Sequence, residues 1–172
     1  MDAAGDISRE ELVAALREAN QEILRLQAQI DESKWLGDAL RRRTLDLSER
    51  TKELECLYGV ADCLRDLDAD LDAVLARIAA VIPRGFQNPA QTYAAVEVAN
   101  SMFRSPAYRE TPCRQSARIM AAGKHVGDIH VLVEPPAKSP APPPFLDEEL
   151  DMLNAIAVWI GQAVEHRTAK QS

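Results

Sequence analysis

Cysteine is scarce in this chain: Cys56, Cys63 and Cys113 are the only three in 172 residues. Three scattered thiols cannot make a disulfide framework, and a reducing compartment keeps them free. Glycine is also sparse, with 7 residues, and neither G-x-G-x-x-G nor G-x-x-x-x-G-K-[ST] occurs. Backbone cradles for nucleotide phosphates are thereby excluded. Aromatic residues make up 5%, and the 3 histidines, His125, His130 and His166, have no ligand-like spacing. No run approaches the ~20 apolar residues of a membrane span. The acidic segment Met1–Asp6 is unlike the basic and apolar regions of a signal peptide. The expectations are therefore a cytoplasmic location and no membrane partner. With 27 acids against 20 bases, the net charge of -7 also counts against a nucleic-acid partner, because phosphate contacts need a surplus of Lys and Arg.

Apolar residues amount to 47%, enough for a packed core. From Ser8 to about Leu67 there is no proline, and apolar residues recur in alternating steps of four and three. Leu16, Ile23 and Ile30 fall at heptad position a, and Leu12, Ala19 and Leu26 at d. Branched residues at a with leucine at d predict a parallel two-stranded coiled coil, hence a homodimer. Ser33 and Gly37 interrupt the seam, which resumes through Leu40, Leu47 and Leu54; a stutter accounts for the gap and makes it a hinge candidate. One helix of ~60 residues would run roughly 90 Å.

The pattern changes after Leu67. Residues 68–82 predict a second helix, with Leu71, Val74, Leu75, Ile78 and Ile82 on one face and Pro83 as its stop. Tyr93–Val98 alternates as a half-buried strand, and Met102–Arg104 follows as a short strand after an Asn100-Ser101 turn. Residues 114–121 and 124–134 predict a hairpin around Ala122-Gly123. Residues 135–144 hold six of the prolines and predict an exposed polyproline-like loop. A last helix spans about 146–167, with Leu150, Leu153, Ile156, Ala157, Ile160 and Val164 as its apolar band. Strands bracketed by helices indicate an α+β domain with an antiparallel sheet. The division expected is a coiled-coil helix over 1–66 and a globular domain over 67–172.

Several segments in this order carry a resemblance. They are Glu49-Arg50-Thr51-Lys52-Glu53-Leu54-Glu55-Cys56-Leu57-Tyr58, Val81-Ile82-Pro83, and Phe103 through Glu110-Thr111-Pro112 to Gln115-Ser116-Ala117. Val126-Gly127-Asp128-Ile129, Pro144-Phe145-Leu146-Asp147-Glu148-Glu149 and Asn154-Ala155-Ile156-Ala157 complete the set. Over about residues 49–167 the chain resembles the GAF-like sensory domains found in front of bacterial histidine kinases and in some phosphoenolpyruvate-synthase-like proteins. Phe86, Asn88 and Cys113 stand where that pattern carries Trp, Tyr and Trp. The resemblance implies a sensory module whose sheet and helices relay a change along a dimer axis to a signalling partner such as a histidine kinase. The ligand contacts expected with it are Phe103, Tyr108, Arg109, Thr111, Cys113 and Gln115, around a small or open pocket. It names no cofactor.

The chemistry-bearing residues allow alternatives. Cys56 and Cys63 lie two helical turns apart, too far to share one metal ion within one helix. Each could meet its own mate across a dimer for redox or metal sensing, or pack as a small buried residue. Cys113, in a connection before a strand, is the candidate exposed thiol. Arg104, Arg109, Arg114, Arg118 and Lys124 face only Glu110 between 104 and 124. Arg114 and Arg118 lie on one strand face, as anion contacts or as partners of Glu97 and Glu134 on neighbouring strands. No nucleophile–base set can be assembled, so an enzyme is not expected. A dimeric sensor of a small ligand or of redox state is the leading reading. The alternative is a ligand-free adaptor whose coiled coil and proline loop recruit a kinase or another protein.

Overall fold

The computed structural model describes residues 8–66, 69–135 and 145–171. The chain is α+β and divides into two units, residues 1–46 and 47–172. The division falls about twenty residues before the expected boundary at 66 and lies inside helix α1, Arg9–Arg65.

Helix α1 begins with a capping box: Ser8 Oγ accepts from the Glu11 N–H at 3.2 Å, and Glu11 Oε2 accepts from the Ser8 N–H at 2.9 Å. Each side chain satisfies a donor that the helix start leaves open. Through the first unit the heptad residues stand in solvent within one chain, Leu16 at 59% and Ile23 at 51% exposed. In the second unit the same helix turns Cys56, Val60 and Cys63 into the core.

Helix α2 is Leu71–Val81, not 68–82. Asp70, extended at ψ 138°, is the N-cap residue that sets the start; Asp68 lies outside the described residues. Ile82–Gly85 continues as a 3-10 turn with Pro83 inside it. Four strands follow: β1 (Thr92–Val98), β2 (Ser101–Arg104), β3 (Cys113–Ala121) and β4 (Lys124–Val133). They form one antiparallel sheet in the order β2-β1-β4-β3. The β1–β2 turn is Ala99-Asn100, one residue earlier than expected, because Val98 pairs with Ser101. Both central residues have positive φ, 48° and 71°, as do Ala122 (48°) and Gly123 (74°) in the β3–β4 turn. That is the type I′ geometry whose twist matches a hairpin. The expected proline-rich loop lies outside the described residues apart from Pro135, which is exposed.

Helix α3, Asp147–Gln171, packs on β3 and β4, while α2 packs on β1 and β2. Gly161 sets the approach of α3, since a Cβ there would overlap the Met120 carbonyl. The inner face of the sheet supplies Ala94, Val96, Ala117, Ile119, Ile129 and Val131 to the core. From the helices come Leu75, Ile78, Leu153, Ile156 and Ile160. Among the described residues no helix is long and apolar enough to cross a membrane.

Candidate functional site on the outer face of the sheet

Strand pairing arranges the face turned away from the helices into cross-strand rows. One row runs Arg104 (β2), Ala95 (β1), His130 (β4), Ser116 (β3). Beside it on one side stand Tyr93, Leu132 and Arg114, and on the other Met102, Glu97, Asp128 and Arg118. Residues opposite one another on such a face are close enough to interact directly.

The centre of this face is His130, 8% exposed. Arg114 Nη2 and Ser116 Oγ each lie 2.8 Å from its Nδ1, and Glu97 Oε2 lies 3.7 Å from its Nε2. A guanidinium can only donate, so Nδ1 accepts and the ring proton sits on Nε2, toward Glu97. Burial, followed by the Arg114 charge, holds His130 below the usual imidazole pKa, against the pull of Asp128 and Glu97. The histidine is thus kept neutral by its surroundings.

The rim is only partly neutralised. Glu134 accepts from the Tyr93 hydroxyl at 2.7 Å and pairs with Arg109 at 3.5 Å. Asp128 pairs with His125 at 3.0 Å, and Glu110 accepts from the Tyr108 hydroxyl at 2.8 Å. Arg104 stacks over the Tyr108 ring at 5.2 Å. Burial and the Glu110 carboxylate raise the Tyr108 pKa, while Arg104 and Arg114 both act to lower it. Arg104 and Arg114 belong to opposite edge strands, which the connection 105–112 joins. Tyr93, Ala95 and Leu132 are buried on this face. The half-buried pattern expected of Tyr93–Val98 is therefore not observed, since only Glu97 of the outward residues retains solvent contact. Arg104, Arg114 and Arg118 have no carboxylate partner among the described residues.

The residues expected at a site separate into two groups. Tyr108, Arg109, Arg114 and Arg118 come to the outer face. Phe103, Cys113 and Gln115 have the opposite strand parity and align with Val96, Val133 and Val131; Phe103 packs against the core. Thr111 turns back locally, its hydroxyl donating to the Cys113 carbonyl at 3.2 Å. Phe86 is buried edge-to-face on Phe145 with ring centroids 6.2 Å apart.

Cys56 and Cys63 both lie buried inside the core of their own chain. The Cys56 Sγ faces the Ile82 carbonyl at 3.7 Å, and burial pushes the thiol up to about 12. Among the described residues no group of three or more His, Cys, Asp and Glu side chains could hold a metal ion.

Arg104, Ser116, His130 and Glu97 were not among the site residues expected from the sequence. The hairpin turns alone do not supply the missing signal: a two-residue turn at Ala122-Gly123 sets Ser116 opposite Ile129, and the bulge between Ile119 and Met120 brings it opposite His130. No protein-family model matches the chain, and no curated protein matches it.

Proposed function

We propose that this chain is a GAF-like sensory module, dimeric through the heptad stripe of α1, that reads a small ligand on the outer face of its sheet. It is a cytoplasmic regulatory protein rather than an enzyme. It relays occupancy through the parallel coiled coil to a signalling partner such as a histidine kinase.

One observation carries this reading: the polar cluster lies on the sheet face turned away from helices α2 and α3, and the core on the other face also takes in residues of α1. His130 belongs to the outer cluster, while its neighbours Ile129 and Val131 are buried in the core that also holds Cys56, Val60 and Cys63 of α1. The route from β4 to α1 runs through α3, which packs on β4 and whose Met152 lies with Cys56 of α1 around Gly85, and tightly packed interiors pass on shifts rather than absorb them. The α+β order supports the family reading.

The test is a thermal-shift screen of the full chain against metabolites, nucleotides, metal ions and small anions. A stabilising ligand is expected, with its effect lost in Ser116→Leu, which fills the outer row without touching the core. A screen in which nothing raises the melting temperature favours the ligand-free adaptor instead.

A further inference from the structure

We infer that the outer sheet face binds a small oxyanion on Arg114 and Arg118, and that binding is coupled to proton uptake by His130. The inference deepens the ligand-face reading above and rests on it.

Arg114 is occupied in the present arrangement, but by a neutral acceptor rather than a carboxylate. Its Nη2 donates to His130 Nδ1, a bond that exists only while that nitrogen keeps its lone pair. A proton on Nδ1 removes the acceptor and sets an imidazolium against a guanidinium at the same contact. The protonated ring keeps other partners: Nδ1–H turns to Ser116 Oγ, already at 2.8 Å, and Nε2–H stays toward Glu97. Arg114 alone loses its place and is released to the surface. His130 is faced by Glu97 from β1, by Arg114 from β3 and by Asp128 on β4, with Arg104 at the far end of its row.

The surroundings favour an anion as the new partner of Arg114. Asp128 stands opposite Arg118 in register, yet its carboxylate is paired with His125. Glu134 and Glu110 are engaged by Tyr93, Arg109 and Tyr108. Arg118 is exposed and without a carboxylate partner among the described residues. The two arginines are four residues apart on one face of β3, about 13 Å between Cα atoms. Long guanidinium side chains on either side of Ser116 can close on one carboxylate or tetrahedral oxyanion, with the fork geometry such groups prefer. An anion held there stabilises the imidazolium, so anion and proton each favour the binding of the other.

The test uses the full chain and two probes whose charge is essentially constant over the imidazole range: sulfate as the tetrahedral arm and formate as the planar one. Binding is measured by calorimetry between about pH 5 and pH 8 in buffers of different ionisation enthalpy, with His130 followed by NMR. Affinity is expected to rise as pH falls, toward about ten-fold per pH unit, with uptake of about one proton. Whichever probe binds tighter identifies the geometry. Arg114→Gln is expected to abolish binding and to raise the titration midpoint of His130 in the free protein. His130→Gln, whose amide oxygen holds Arg114 at every pH, is expected to bind at the weak high-pH level throughout. If either probe binds with the same affinity across the range and without proton uptake, the coupling is overturned while the ligand face survives. If neither probe binds or moves the His130 signals, the coupling and an anion-reading outer face fall together.

Discussion

At the scale of single residues, burial decides which groups do chemistry and which hold structure. Glu149 is 2% exposed, and its two oxygens accept from the Gln87 N–H at 2.8 Å and the Leu146 N–H at 2.9 Å. It ties the turn after Ile82–Gly85 to the start of α3. Glu149→Ala orphans both donors and should cost about 2–3 kcal/mol in urea denaturation; a loss below about 0.5 kcal/mol would show the bonds to be incidental. The sequence marks Glu149 only as one of three acids in a first helical turn, because the partner at Gln87 is 62 residues away. His130 should make stability depend on pH. Its pKa is lowered in the folded chain by burial and then by Arg114, so its contribution is fully present above the unfolded value near 6.5. It is lost as pH falls from there through the lower native value. His130→Gln should flatten that part of the melting-temperature profile, and an unchanged slope in the variant would assign it to another group. The thiols divide likewise. Cys113 is partly exposed, whereas Cys56 and Cys63 are buried, so a thiol reagent should label one cysteine quickly and two only on unfolding. Fast labelling of two or three would mean the α1 core is open.

At the scale of elements, the sequence made most of this fold legible, and its errors share a cause. Helix periodicity, the β3–β4 turn and the apolar band of α3 are local signals, and each element stands close to its expected limits. Strand parity was legible too, since Ala94, Val96 and Val98 fall on the core side. What could not be read was which outward residues would be buried, because the burial of Tyr93, Ala95 and Leu132 depends on groups outside their own strands. The grouping of His130, Arg114 and Ser116 was hidden because it needs the register of β3 on β4, which a bulge between Ile119 and Met120 shifts by one residue. The turns also record a local cost. Ala122 has φ 48°, a left-handed conformation that disfavours a Cβ without a local hydrogen-bonding side chain by ~1–2 kcal/mol. Asn tolerates it and with Gly123 completes the favoured I′ pair. Ala122→Asn should therefore stabilise the domain by about 0.5–1 kcal/mol, read as a higher urea midpoint at unchanged slope. A lower midpoint would show that the β3–β4 turn relaxes out of the I′ form in solution.

At the scale of the whole molecule, the decisive question is what covers the apolar stripe of α1. Leu12, Leu16, Ile23, Leu26 and Ile30 are each 48–59% exposed in one chain, and a single helix has no other face on which to bury them. Isolated helices gain most of their stability from packing such a stripe, and burying one Leu or Ile side chain is worth roughly 1.5–3 kcal/mol. A second copy offers the same stripe in the same register, with branched residues at a and leucine at d, the combination suited to two parallel strands. The stripe is separate from the core of residues 47–172, whose apolar contacts come from Cys56 onward in α1. A charge placed in the seam should therefore undo pairing without unfolding the sheet. Ile23→Asp is expected to convert a dimer to a monomer by sedimentation velocity at micromolar concentration. The unfolding free energy reported by Trp159 in urea, in a Trp35→Phe background, should stay within about 0.5 kcal/mol of the parent. A parent chain that sediments as a monomer would remove the dimer and the relay that depends on it. A variant that stays dimeric would place the pairing on the globular unit instead.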